Sequence, residues 1–530
     1  MDGPYAQVEV GASPPRVEFP RRYNAAVDLL DRHVRAGRAA KVAYVDDFGA
    51  VTYAQLLSRV NRVGQVLRGL GLAVEQRVLL LMHDTADFAA CFLGAMKIGA
   101  VPVPVNTLLT PADYLHMLVD SRARVLVVSD VLLPRVELAL ASVAAPPRVI
   151  VARSPLGGEA GEHPRLEALC EGMADELAAA DTTPDDVAFW LYSSGSTGAP
   201  KAAIHLHAHL VRTAVFYAQG VLGLRADDVV YSAAKLFFAY GLGNALTFPL
   251  YVGATAVLRA ERPTPALVLE TLRSRGVTVF GGVPTLFASL LAAPGLAPEG
   301  LALRVSLSAG EALPRHIGEQ WRARLGSDIL DGIGSTELLH IFLSNAPGDI
   351  RYGTSGRPVP GYPLKIVGED GEAVADGEEG ALWVRGTTAA AGYFNQRARS
   401  LATFHGEWTY TGDRYVREAD GRYVYSGRED DMLKVGGIWV APFEVESALA
   451  CHPAVLEAAV VGHADGDGLI KPRAFVVLKD PSAAGEALVE ELRRFVKGQL
   501  APYKYPRWIE FVGELPKTAT GKIQRFRLRA

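Results

Sequence analysis

At 530 residues, 49% hydrophobic and 21% charged, the chain is too long for one compact core, so two or more domains are expected. A formal net charge of −4 and the lack of any dense Lys/Arg run leave no electrostatic footprint for nucleic acid. Cys91, Cys170 and Cys451 stand far apart with no C-x-x-C pair, which points away from a disulfide framework or a Cys-rich zinc site and fits a reducing cytoplasm.

The first residues, "MDGPYAQVEVGASPPRVEFPRRYN", carry acids and prolines where an export signal needs a basic end and an apolar run. From 77, "RVLLLMHDTADFAACFLGAMKIGAVPVPVN" reads as strand, helix, a Gly99 stop and a Val-rich strand, a βαβ unit. Short strands follow in "RARVLVVSD" at 122–130 and "PPRVIVA" at 146–152. This rhythm implies parallel sheets covered on both faces.

"VAFWLY" then leads into "YSSGSTGAPK" at 192–201, where hydroxyl residues alternate with glycines and end on a Lys. Glycine permits φ > 0 and leaves no Cβ in the way, so such a loop turns backbone N–H groups toward an anion. A Walker loop needs G-x-x-x-x-G-K-[ST]; here the spacing is G-x-x-G-x-x-K and Ala202 follows the Lys, so that reading fails.

A second α/β unit is predicted from strands at 227, 254, 277 and 304 with a helix at about 264–275. Within it, 236–258 carries no charge and is long enough to span a bilayer, but its glycines, Asn244, Thr247 and Pro249 break it into pieces. A buried helix and strand beside a pocket is expected instead, and no membrane partner. From about 350, short alternating runs between Gly and Asp predict antiparallel strands and a small barrel. "SGREDDMLKVGG" at 426–437 reads as an exposed connection between bodies, and the remainder as a small α+β domain.

Four more motifs follow the loop in order: "DGIGSTE" (331–337), "YTGD" (410–413), "YSGREDDMLKVGG" (425–437) and "PKTATGK" (516–522). With "YSSGSTGAPK", this ordered set resembles the adenylate-forming superfamily of acyl- and aryl-CoA synthetases, carrier-loading adenylation domains and luciferases, over nearly the whole chain. The resemblance implies an α/β fold: residues 1–429 as a large domain of two α/β subdomains plus a small β-barrel, and 430–530 as a small mobile α+β lid. It also implies two half-reactions, a carboxylate attacking the α-phosphate of MgATP to give acyl-AMP, then the thiol of CoA displacing AMP.

By the same resemblance Ser193, Ser194, Gly195, Ser196, Thr197, Gly198 and Lys201 embrace the β- and γ-phosphates, although the family usually has Gly where Ala202 stands. Thr336 donates to the α-phosphate and Glu337 holds Mg2+, a hard cation suited to carboxylate and phosphate oxygen; alone, a Thr-Glu pair is equally a helix N-cap and first-turn acid. Gly310, Glu311, Asp331 and Gly332 flank adenine, Asp413 and Arg428 hold ribose, and Tyr425 lies against the nucleoside. Lys522 is the adenylation lysine, Asp430 the hinge, and Lys434, Gly436 and Gly437 enter with the pantetheine arm for the second step.

The acid pocket is expected between "LFFAYGLGN" and "DGIGSTELLHIF", with Phe237, Phe238, Ala239, Tyr240, His340 and Ile341 as walls and Gly332 and Gly334 opening a slot for a ring. A neutral His340 can instead hydrogen-bond a ring hydroxyl. Longer stretches, among them "SAAKLFFAYGLGNALTFPL" and "LAPYKYPR", look like the benzoate-CoA ligase family and its aryl relatives. Benzoate is the expected acid, with 4-hydroxybenzoate, aminobenzoates and halogenated or heteroaryl acids open. A carrier-loading adenylation enzyme and a non-catalytic nucleotide sensor are the rival readings, and the protein is expected to be a monomer or homodimer.

Overall fold

The computed structural model describes the chain except residues 1–2, 10, 196–197, 436–437, 466–468, 501–503, 518–522 and 530; positions 194, 195, 198, 199, 430, 434, 438, 439 and 526 are described by backbone alone. Six strands of its largest sheet run parallel, Val42–Asp46, Thr255–Val257, Val229–Ser232, Val279–Gly282, Val305–Ser308 and Asp328–Gly334, in that lateral order. Antiparallel strands Gly49–Thr52 and Ile341–Ser344 flank them. The predicted segments at 233–240, 310–311 and 336–337 therefore all leave the carboxyl ends of neighbouring parallel strands, where open α/β sheets bind ligands.

A second, four-stranded parallel sheet takes Val101–Pro104, Arg77–Leu81, Val125–Ser129 and Arg148–Ala152 in that order. Helix Ala86–Lys97 is buried at every position, as its nearly all-apolar sequence requires. It crosses helix Tyr53–Gly69 at a glycine contact: a Cβ on Gly94 would stand 2.8 Å from the Val60 carbonyl oxygen. The two α/β units are not consecutive stretches, because Val42–Asp46, near the N-terminus, pairs with Thr255–Val257 of the second one.

Two stretches differ from their sequence reading. "YSSGSTGAPK", read as a loop, is the end of an antiparallel hairpin, Val187–Gly195 with Gly198–Leu206, and Ser193 faces Lys201 in its register. "SGREDDMLKVGG" is not simply an exposed connection: strand Tyr423–Arg428 pairs along Trp408–Arg417, and Leu433 and Val435 are buried. Its charges are used locally, Arg428 on Asp413 and Asp431 on Arg525 and Arg529.

The antiparallel strands expected after 350 form a five-stranded sheet of Leu364–Val367, Glu379–Arg385, Phe404–His405, Trp408–Arg417 and Tyr423–Arg428. Beyond it, Val455–Ala464, Ile470–Leu478 and Trp508–Phe511 form a three-stranded sheet with helices Pro442–Ala450 and Glu486–Gln499. Leu433, Val445, Leu449, Val460, Val476 and Leu492 share one core there. Among the described residues no helix is long and apolar enough to cross a membrane; the uncharged stretch breaks into Ala239–Leu242, Gly243–Thr247, Phe248–Val252 and Thr255–Val257.

Candidate active site

Lys201, on the second strand of the hairpin, reaches Glu337 in the turn that joins Asp328–Gly334 to Ile341–Ser344. Its Nζ lies 3.0 Å from Glu337 Oε1 and donates to the Tyr393 hydroxyl at 2.6 Å. That hydroxyl donates in turn to Glu337 Oε1 at 2.6 Å, closing a three-membered ring of contacts. Only 19% of the Lys201 side chain and 14% of that of Glu337 are exposed, so water screens the pair weakly. Burial pushes the Glu337 carboxyl up, but the Lys201 ammonium and the Tyr393 hydroxyl outweigh it and hold the group below the usual carboxylate range. Glu337 is therefore an anion near neutral pH.

The turn itself is not a helix start, so Thr336 and Glu337 are not an N-cap and a first-turn acid. The Ser335 hydroxyl accepts from Leu338 N at 3.2 Å, and Leu339 takes a positive φ of 70°. His205 Nε2 lies 2.8 Å from the Thr336 carbonyl oxygen, and Ala390 N donates to the Glu337 carbonyl at 2.7 Å. Burial lowers His205 to about 4, so it is a neutral imidazole that donates to Thr336. The two glycines of the motif have a packing reason other than the expected ring slot: a Cβ on Gly332 would meet the Leu343 carbonyl oxygen at 2.8 Å, and one on Gly334 the His340 carbonyl oxygen at 2.5 Å. Close approach of the two hairpin strands excludes a side chain there.

On the nucleoside side, Asp413 is buried and its Oδ1 accepts from Arg428 Nη1 at 3.0 Å, the two residues facing each other across paired strands. Gly412, at φ 73°, leaves the space that guanidinium occupies. Tyr425 packs edge-on between the rings of Tyr415 and Phe443, each 5.4 Å away. Asp331 is buried, and burial pushes its carboxyl up to about 8 despite hydrogen bonds from Ser308 and from the Leu313 and Gly332 backbone. It is neutral near pH 7. Gly310 takes φ 98°, and Glu311 Oε1 accepts from Ile523 N at 3.1 Å, which brings the C-terminal segment to the rim of the site.

At the other end of the turn, His340 is enclosed by aromatic rings. Phe248, Tyr217 and Tyr240 have centroids 4.5, 5.4 and 5.7 Å from its own. Burial lowers His340 to about 3, so it is neutral. With Nε2–H donating to the Tyr240 carbonyl at 3.4 Å, Nδ1 is a buried acceptor without a partner among the described residues. The Tyr217 hydroxyl is buried beside Ser344, and the Tyr240 hydroxyl is buried beside the Asn244 amide. Phe237 packs on Phe238 at 4.5 Å, Ile341 is buried, and Ala239 is half-buried at the start of its short helix. Asp84 accepts from Leu236 N at 3.2 Å and so anchors the segment that carries them.

Thr336, Glu337, Lys201, Ser193 and the residues around His340 are thus brought together, and the buried Tyr415, whose hydroxyl bonds Ser355 at 3.0 Å, lies near Asp413. Ser196, Thr197, Gly436, Gly437 and Lys522 lie outside the described residues, as do the side chains of Ser194, Asp430 and Lys434. Sequence reasoning missed Tyr393, His205, Tyr217, Phe248 and Asp84. "GYFNQ" and "HLHAH" carry the first two, but nothing local shows which distant residue each will meet. Among the described residues no group of three or more His, Cys, Asp or Glu could hold a metal ion, and Glu337 stands beside Lys201. One carboxylate suits a Mg2+ that takes most of its oxygens from a triphosphate and water.

A glycine-rich hairpin, a buried carboxylate and a set of enclosed aromatic rings stand at the carboxyl end of a parallel sheet, the setting of a nucleotide-dependent enzyme. The chain belongs to the AMP-binding enzyme family: residues 30–394 match that family and residues 444–522 its C-terminal domain. It is 58% identical over 521 residues to a benzoate–CoA ligase of Thauera aromatica, covering 98% of each chain. It is 49% identical over 516 residues to a 4-hydroxybenzoate–CoA/benzoate–CoA ligase of Rhodopseudomonas palustris, covering 96% of this chain and 94% of that one. A crystal structure of a benzoate CoA ligase from Burkholderia xenovorans superposes with a TM-score of 0.90 at 53% identity, covering 96% of this chain and all of that one.

Proposed function

We propose that the protein is an AMP-forming aryl-CoA ligase whose preferred acid is benzoate or a close relative. One observation carries this: a single turn holds the Glu337–Lys201 pair at one end and the ring-enclosed His340 at the other. Carboxylate activation needs both within a few ångströms, because the aryl ring must be gripped while its carboxylate meets the α-phosphate. The names of the relatives point to the same acids.

In the first half-reaction a carboxylate oxygen of the acid bonds to the α-phosphorus and the bond to pyrophosphate breaks. Two anions must approach, so the work is electrostatic. Lys201 and the hairpin N–H groups take the β- and γ-phosphates, the Thr336 hydroxyl faces the α-phosphate, and Lys522 reaches in from the C-terminal segment. Mg2+ bound at Glu337 would neutralise charge on the leaving phosphates. Asp413 accepts from the ribose hydroxyls, and Gly310, Glu311 and the Asp331–Gly332 backbone flank adenine. In the second half-reaction the CoA thiol attacks the acyl carbon, the carbon–oxygen bond to AMP breaks, and AMP leaves. Lys434, Gly436 and Gly437 line the pantetheine path after residues 430–530 rotate about Asp430 against residues 1–429.

The Nδ1 of His340, a buried acceptor without a partner among the described residues, favours a second reading in which hydroxy- or aminobenzoates are also accepted. The test is AMP and acyl-CoA formation with ATP, Mg2+ and CoA across benzoate, hydroxybenzoates, aminobenzoates, cinnamate and hexanoate. A maximum of kcat/KM at benzoate supports the first reading and one at a substituted benzoate the second. A maximum at hexanoate overturns both, and pyrophosphate release without thioester points to carrier loading.

A further inference from the structure

Lys201 has two duties in the proposed reaction and one ammonium to serve them. In the ligand-free protein it neutralises Glu337; in the first half-reaction it must turn to phosphate oxygens. Its departure would leave a buried carboxylate without its cation, and such groups are costly unless another donor remains.

Tyr393 supplies that donor. Its segment is stitched to both partners: Ile204 N donates to the Gly392 carbonyl at 3.0 Å and Phe394 N to that of Ala202 at 2.9 Å, on the strand that carries Lys201. Ala390 N holds the Glu337 carbonyl at 2.7 Å, and Ser400 Oγ accepts from Tyr393 N at 2.9 Å. The phenol itself is buried, backed by Phe404 at 5.4 Å, with Lys201 Nζ 4.3 Å over its ring. A short O–H···O⁻ contact of 2.6 Å to Glu337 Oε1 belongs to the strong, charge-assisted class.

We propose that Tyr393 is a positioning residue: its hydroxyl holds Glu337 Oε1 in place while Lys201 exchanges the carboxylate for phosphate, so that the carboxylate stays positioned for the metal of the incoming nucleotide. This rests on the aryl-CoA ligase reading for its kinetic half. A group that fixes a metal ligand by its outer hydrogen bond is usually worth about 10–100-fold in metal affinity.

The test compares Tyr393→Phe and Tyr393→Ala with the wild type. Phenylalanine keeps the ring, its packing and its cation–π contact and removes only the hydroxyl; unchanged melting temperature and circular dichroism certify its fold. Mn2+ binding in the presence of α,β-methylene-ATP, read by electron paramagnetic resonance, should weaken by about 10–100-fold in the Phe variant. The Mg2+ concentration for half-maximal benzoyl-AMP formation should rise in step, while thioester formation from supplied benzoyl-AMP stays as in the wild type. On a Glu337→Gln background, Tyr393→Phe should add no further loss of Mn2+ affinity.

Wild-type Mn2+ affinity in the Phe variant, with loss only in the Ala variant, would overturn the proposal and leave Tyr393 as packing. Equal loss of both half-reactions in the Phe variant would overturn it too. Should the wild type form no acyl-adenylate from any acid, the ligase reading fails, yet Mn2+ affinity still decides the role of Tyr393.

Discussion

Replacing Gly243 by alanine tests the aromatic pocket through its tightest contact. Gly243 stands at φ −61° and ψ −60°, helical values that any residue adopts, so backbone entropy alone would make the change stabilising by about 0.4–1 kcal/mol. Packing opposes this. The new Cβ would lie 2.3 Å from His340 Cδ2 and 2.5 Å from Nε2, about 1 Å short of ordinary van der Waals contact, with Phe248 Cζ at 3.1 Å. His340 cannot yield easily, because Tyr217, Tyr240 and Phe248 close on its other sides. Overpacking of this kind costs about 1–3 kcal/mol, so the net effect is a loss of roughly 1–2 kcal/mol. A ring displaced by about 1 Å also shifts the pocket wall, for which a loss in kcat/KM of up to about 100-fold for benzoate is expected. The KM for ATP should hold, since Lys201 and Glu337 lie at the other end of the turn. Calorimetry and initial rates check both halves. A Gly243→Ala protein with equal or higher melting temperature and unchanged kcat/KM for benzoate would refute the placement of His340 in the acid pocket.

Lys522→Ala should lower benzoyl-AMP formation by on the order of 10²–10³ and leave thioester formation from supplied benzoyl-AMP largely intact; equal losses in the two assays would remove Lys522 from the adenylation step. Acid should destabilise the protein through its buried histidines. His205 and His207 titrate at about 4 and His340 at about 3 because burial disfavours their charged forms, whereas the unfolded chain takes up these protons near 6.5. Their contribution is whole above about pH 6.5 and erodes as pH falls toward 4, each costing on the order of 1.4 kcal/mol per pH unit. His207 Nδ1 accepts from Ala25 N at 3.1 Å, a bond that protonation at that nitrogen destroys. Melting temperature should therefore drop between about pH 6.5 and 4, less steeply in a His207→Gln protein, and a flat profile would contradict this origin.

The family was legible because five short motifs stand in a fixed order along the chain, and the matched family models bear that out. What stayed hidden depends on tertiary pairing. Tyr393 meets Lys201 across 192 residues, and Val42–Asp46 joins a sheet whose next strand begins at Thr255. Neither distance leaves a periodic mark in the chain. The hairpin form of "YSSGSTGAPK" was missed because Gly and Ser signal a turn without saying what continues on either side. Gly332 and Gly334 were read as opening a slot for a ring, and the close carbonyls of Leu343 and His340 give both glycines a packing reason that no local signal shows.

The central claim is that the acid's carboxylate attacks the α-phosphate of ATP. One turnover with benzoate labelled by ¹⁸O in both carboxylate oxygens decides it by mass spectrometry of the products. The account predicts one ¹⁸O in AMP and one in the acyl-CoA carbonyl, with none in pyrophosphate. ADP in place of AMP, with one ¹⁸O in inorganic phosphate, would mean attack on the γ-phosphate and an acyl-phosphate route, and would contradict the account.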